Sequence, residues 1–251
     1  MSARSGWRAR VGMVHPSRGD TLMYEYYRAA PAGIVIVPAA LNLRELSTAE
    51  LERVYEGYEA AVADLAYEDV DVVVLGGSPP VTHKGYGLER ALVERASRLV
   101  SCPVVALVRC EVEALQALGA KRIAIGAPYT TALTEKFAEY FREAGFDVVA
   151  TRCLGISRPV EMAKLPHDAS AQLARELARE AGPVDAVHLT CPRWPTVAGL
   201  DGLEHDLGIP VTSSSQSVIY GTLRRVGVRD EIRGHGSLLR RLATEAAAVP
   251  A

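Results

Sequence analysis

Short apolar runs alternate along this chain with longer stretches whose apolar positions recur every three or four residues. Val11 to His15, closed by Pro16, and Ile34 to Val37, closed by Pro38, predict two buried strands. Ser47-Thr48-Ala49-Glu50 has the form of a capped helix start. The helix it opens carries Leu51, Val54, Tyr55, Tyr58, Val62 and Leu65 on one face. Val70 to Leu75 predicts a third strand, ending in the loop Gly76-Gly77-Ser78-Pro79-Pro80. A helix over Leu88 to Leu99 and a strand over Val104 to Val108 complete the set.

Then the pattern restarts. Glu111 to Leu118 reads as a helix closed by Gly119, a residue suited to the left-handed position after a helix end. Arg122 to Ile125, Asp147 to Ala150, Ala186 to Cys191 and Pro210 to Ser213 read as strands. Leu133 to Ala144, Ala169 to Ala181, Leu200 to Leu207, Val218 to Leu223 and Leu238 to Ala247 read as helices. Strands separated by helices of ten or more residues imply βαβ units and parallel sheets. The expected fold is α/β, with two pseudo-symmetric doubly wound domains and an interdomain cleft. Residues 1–112 with 218–251 are expected to form one lobe, and 113–217 the other. In each half the third strand ends at a conspicuous loop, Gly76-Gly77-Ser78 and Thr190-Cys191-Pro192.

Composition narrows the function classes. The chain has 251 residues, 49% hydrophobic and 23% charged, an ordinary globular balance. A net charge of −2 and the lack of a basic block argue against nucleic acid. No apolar run approaches a bilayer-spanning length, and the positive start, Met1 to Arg10, has no apolar stretch behind it. Four scattered cysteines, Cys102, Cys110, Cys153 and Cys191, suit neither a zinc site nor a disulfide framework and fit a reducing cytoplasm. No pattern demands a cofactor: Gly76-Gly77 belongs to neither nucleotide-loop motif, and Pro79-Pro80 removes donors.

The chemistry concentrates at Ala186-Val187-His188-Leu189-Thr190-Cys191-Pro192-Arg193. A thiol stands where a strand gives way to a loop or helix start, the edge at which open α/β sheets bind ligands. A helix beginning at Pro192 would lower the thiol pKa. The alternative is an inert buried cysteine; Cys102, Cys110 and Cys153 are read that way.

The chain resembles the aspartate/glutamate racemase superfamily, and within it the arylmalonate decarboxylases and maleate cis–trans isomerases. The likeness rests on Gly12-Met13-Val14-His15-Pro16, Val73-Val74-Leu75-Gly76-Gly77-Ser78, Ala117 to Ala124, Tyr129, Leu189-Thr190-Cys191 and Leu207 to Ser215. It implies a cofactor-independent enzyme that acts on a small carboxylic acid between two lobes. It implies Cys191 as the catalytic thiol. It implies substrate contacts from Pro16, Ser17, Gly77, Ser78, Tyr129, Pro192, Ser214 and Ser215. A homo-oligomer is a further expectation. Racemases and maleate isomerases of the superfamily carry a cysteine on each third-strand loop; here the first falls at Gly76 or Gly77. One cysteine facing a glycine resembles the decarboxylases, in which a single thiol protonates a planar enediolate. Pro79 and Pro192 stand where those enzymes have a hydroxyl and a donating glycine N–H.

Other residues keep two readings. His15 ends the first strand and His83 lies on the Gly77–Gly85 loop; either can face the cleft, with His83 as the candidate for the missing acid/base, or be an exposed loop imidazole. His188 reads as a hydrogen-bonded core histidine. Ser213 to Ser215 bind a carboxylate or cap the next helix. Arg193 and Trp194 shape specificity or cover the loop. Tyr24, Tyr26 and Tyr27 form a loop cluster that lids the cleft or simply packs on it. The expected activity is decarboxylation of a substituted malonate-like acid, with an isomerase or racemase second and a non-catalytic carboxylate-binding protein third.

Overall fold

Among the described residues, 5–244 of this computed structural model, eight strands form two parallel sheets of the same order. The first lobe runs β1 (Ala9–His15), α1 (Asp20–Ala29), β2 (Ile34–Ala40), α2 (Thr48–Leu65), β3 (Val72–Leu75), α3 (Ser78–Thr82), α4 (Leu88–Ser97), β4 (Val104–Ala106) and α5 (Leu107–Ala117). The second runs β5 (Arg122–Ala127), α6 (Thr131–Glu143), β6 (Asp147–Cys153), α7 (Pro159–Met162), α8 (Ala169–Ala181), β7 (Ala186–Leu189), α9 (Leu200–Leu207) and β8 (Val211–Ser213), and α10 (Ser214–Arg225) then packs back on α1 and α5 of the first. A short α11 (Ser237–Arg240) follows. The orders are β2-β1-β3-β4 and β6-β5-β7-β8. Each has its switch point between its first and third strands, where ligands bind open parallel sheets.

Alternation within the strands decides which core each residue joins. Val11, Met13, Val72 and Val74 face α1 and α10, meeting Leu22, Tyr26, Val218 and Leu223. Val14, Val73 and Leu75 face the other way, onto Val54 and Tyr58 of α2. That second core continues into the other lobe through Ile123, Ile125 and Val187, covered by Phe137, Phe141, Leu173 and Leu177. Full burial of such a side chain stabilises by about 1.5–3 kcal/mol, so this shared core holds the two sheet edges in fixed relation.

The hydrogen bonds at those edges repeat. The amide of Gly76 donates to Val14 O at 2.8 Å, and that of Thr190 to Gly126 O at 2.9 Å. Leu43 donates to Pro16 O, and Ile156 to Pro128 O. Gly77 therefore corresponds to Cys191, Pro16 to Pro128, Ser17 to Tyr129 and His15 to Ala127.

Four local expectations are corrected. Residues 20–29, read as a tyrosine-bearing loop, are α1: Leu22, Tyr26 and Ala29 bury one helical face. β4 stops at Ala106, and α5 begins at Leu107. Ser78 opens the short helix α3, whose first turn accommodates Pro79 and Pro80 because its amides need no partner. No helix starts at Pro192; the chain turns there, and a 3-10 turn over Val197–Gly199 leads into α9. The expected terminal helix is described only as far as α11 and a 3-10 turn over Arg241–Ala243; residues 245–247 lie outside the described residues. No helix among the described residues is long and apolar enough to cross a membrane.

Candidate active site

The two switch points meet at one pocket. His15, Pro16, Ser17, Gly76 and Gly77 come from the first lobe, and Tyr129, Cys191, Pro192 and Arg193 from the second. Leu43, Leu46, Pro159 and Met162 close it with apolar surface. The cavity is about 40 Å³.

Cys191 is almost wholly buried and takes a left-handed backbone, φ +86°. A non-glycine residue there costs roughly 1–2 kcal/mol. Its Sγ accepts from the Arg193 amide at 3.4 Å, lies 3.8 Å from Met162 Sδ and hydrogen-bonds the Tyr129 hydroxyl. Burial outweighs those contacts and pushes the thiol pKa up to about 11. The expected lowering by a helix start is thereby corrected, since no helix begins there. The group is a protonated thiol at neutral pH, suited to giving a proton. Tyr129 is also buried, and its hydroxyl is held well above the ordinary range by burial and by the thiol.

The loop carrying Cys191 is stapled to α1. Arg193 pairs with Asp20, and its Nε donates to Pro159 O at 3.3 Å. Thr21 Oγ1 donates to Arg193 O at 3.1 Å. The buried Glu25 carboxyl accepts from the amides of Thr196 and Val197 at 2.5 and 2.7 Å. Burial raises the Glu25 pKa against those donors and the Ser215 hydroxyl beside it.

A second buried carboxyl, Glu111 of α5, joins both loops. It accepts from Ser78 Oγ at 3.1 Å, from Thr190 Oγ1 at 3.3 Å and from the Ser214 hydroxyl. His188 Nε2 lies 3.4 Å from it, and His188 Nδ1 lies 2.8 Å from Thr212 Oγ1. One carboxyl thus fixes Ser78 at the start of α3, Thr190 before Cys191 and Ser214 at the start of α10.

Of the residues singled out from sequence, the pocket brings together Cys191, Pro16, Ser17, Gly77, Tyr129 and Pro192. Ser78 and Ser214 do not line it; their hydroxyls turn to Glu111. Ser215 lies beside Glu25. Ser213 caps α10, its hydroxyl accepting from the Gln216 amide at 3.3 Å. His83 also stands outside the pocket: its Nδ1 is 2.7 Å from Pro80 O and its ring meets Tyr55 edge-on. Glu111, Glu25 and Met162 carried no signal: Glu111 reads as an ordinary helix residue, Glu25 as part of a loop, and Met162 falls between the elements the sequence predicts.

Gly77 mirrors Cys191 with φ +85°. A Cβ on it would fall 1.9 Å from Pro16 Cγ, so Pro16 occupies the space of any side chain at that position. The pocket has one thiol, on the second lobe. No cluster of three or more candidate metal ligands occurs among the described residues.

Comparison with known proteins finds relatives along nearly the whole chain. A family-wide profile for arylmalonate decarboxylase matches residues 12–239. A maleate isomerase from Nocardia farcinica is 32% identical, with 92% of this chain and 95% of that one aligned. An arylmalonate decarboxylase from Bordetella bronchiseptica is 24% identical, covering 91% and 95%. The solved Nocardia farcinica maleate cis-trans isomerase bound to TRIS superposes with TM-score 0.87 at 24% identity, over 94% of this chain and 100% of that one.

Proposed function

The chain belongs to the arylmalonate decarboxylase family, and we propose that it decarboxylates a small malonate-like acid, with Cys191 as the proton donor. As an enzyme of this family it is a lyase or an isomerase, the two activities its relatives' names carry. The observation that favours the lyase is the single thiol: Pro16 fills the space a side chain at Gly77 would need. A two-base racemisation needs an acid/base on each face of the carbon, and only one face has a cysteine. The protonated state of Cys191 supports the same reading, because addition of sulfur to a double bond needs a thiolate.

In this reading the departing carboxylate lies against Leu43, Leu46, Pro159 and Met162. Apolar surroundings favour its loss as neutral CO₂ over retention as an anion. The electron pair left behind forms an enediolate. The Cys191 thiol, held by Tyr129 and the Arg193 amide, protonates the carbon on one face, and those same donors steady the thiolate that results. A proton from solvent restores the thiol. A cavity of about 40 Å³ suits a small acid.

The test is turnover of malonates and maleate in D₂O by wild type and Cys191→Ala. The expected result is CO₂ release with one deuterium at the α-carbon, reduced at least about 100-fold in the variant. Conversion of maleate to its trans isomer without CO₂ would overturn the lyase assignment in favour of the isomerase.

A further inference from the structure

We infer that His15 is the first-lobe substrate contact, hydrogen-bonding a carboxylate of the bound acid in the pocket it shares with Cys191. This inference rests on the reading of the pocket as a small-carboxylate site.

His15 ends β1, lines the same pocket as Cys191 and is 2% exposed. Its Nε2 is buried with no hydrogen-bond partner. A polar atom is costly to leave in that state, and a ligand that supplies the missing partner recovers the loss on binding. The ring is given its place: a Cβ on Gly19 would fall 2.0 Å from His15 Nδ1, and Gly19 itself has φ +68°. At the corresponding position of the second lobe stands Ala127, which has no polar side chain.

Two further polar side chains of the pocket, Arg193 and Tyr129, are engaged. The Arg193 guanidinium is held by Asp20 and Pro159 O, and the Tyr129 hydroxyl by Cys191. Burial and the nearby Arg193 charge lower the His15 pKa to about 4, against a small opposing pull from Asp20. The imidazole is therefore neutral at pH 7. Its single ring N–H donates to a carboxylate without the cost of burying a second full charge.

The experiment follows the imidazole directly and does not depend on turnover. Histidine-labelled (15N) Cys191→Ala protein is titrated with malonate, maleate and acetate, the His15 signal being identified by its loss in His15→Gln. Malonate or maleate is expected to move the His15 Nε2 resonance saturably. In parallel, His15→Leu is expected to raise KM for the diacid about ten- to hundredfold with kcat nearly unchanged, and His15→Gln to recover most of it. Protection of wild-type Cys191 from alkylation by malonate or maleate reports independently that the acid enters the pocket. Protection with an unmoved His15 signal would overturn the inference while leaving the function standing. Absence of protection and of turnover would overturn both. A large loss of kcat at unchanged KM in His15→Gln would overturn the binding role in favour of proton transfer by the imidazole.

Discussion

Two loops of this protein have one backbone and opposite contents. After β3 the chain reads Leu75-Gly76-Gly77, and after β7 it reads Leu189-Thr190-Cys191. Both loops bond back to the neighbouring strand through the same amide, and both then turn into the left-handed region at φ +85° and +86°. In the first lobe glycine takes that torsion freely and Pro16 closes over it. In the second a cysteine holds the torsion against its own Cβ, with Tyr129 on its sulfur. The comparison teaches where strain is tolerated. A fold that needs this turn twice uses glycine where nothing reactive is required and retains the strained residue where the thiol faces the pocket.

The sharpest way to break the comparison is to make the second loop like the first. Cys191→Gly is expected to lower turnover about a thousandfold while leaving the urea midpoint unchanged or raised. Relief of the torsion is worth roughly 1–2 kcal/mol, offset by the loss of the buried sulfur. A clearly lowered midpoint would mean that the thiol stabilises the fold more than its torsion strains it. The converse change is Gly77→Ala. It adds a Cβ at φ +85° and drives it into Pro16. Torsion and overpacking together predict a loss of about 3 kcal/mol in urea unfolding. A loss below 1 kcal/mol, on that same scale, would show that Pro16 yields and that the first loop can accept a side chain.

The architecture was legible because parallel strands are buried on both faces and so appear as short apolar runs, with helical spacing between them. Cys191 was legible because it ends such a run. α1 was missed because Tyr24, Tyr26 and Tyr27 drew it toward a loop reading, although Leu22, Tyr26 and Ala29 had helical spacing. Candidate hydroxyls could be named from sequence, but not where they turn. Ser78 and Ser214 look like substrate donors until Glu111, some distance away in the chain, is found between them. A glutamate on a helix or in a loop reads as a solvated charge; only tertiary packing reveals that Glu111 and Glu25 are interior groups. His83 likewise shares a loop with Gly77, yet the turn of α3 sends it to Tyr55.

The smallest effect separates the two loops by pH. His15 beside Pro16 is the first lobe's titratable group in the pocket, and Ala127 gives the second lobe no counterpart. Burial and Arg193 lower its pKa from 6.5 to about 4 in the folded protein. The unfolded chain therefore takes up a proton between those values while the folded chain does not. Stability from this residue is fully present above pH 6.5 and falls as the pH drops toward 4, by about 2 kcal/mol at pH 5. Glu25 acts in the opposite sense: its raised pKa means the folded carboxyl holds a proton that the unfolded one releases. The difference between wild type and His15→Leu isolates the histidine, because Glu25 is common to both. Urea midpoints at pH 7 and pH 5 are expected to fall more for wild type than for His15→Leu. Equal falls would mean that water reaches the ring and lets it titrate as it does in the unfolded chain, which would place His15 among exposed groups and remove the asymmetry from this part of the pocket.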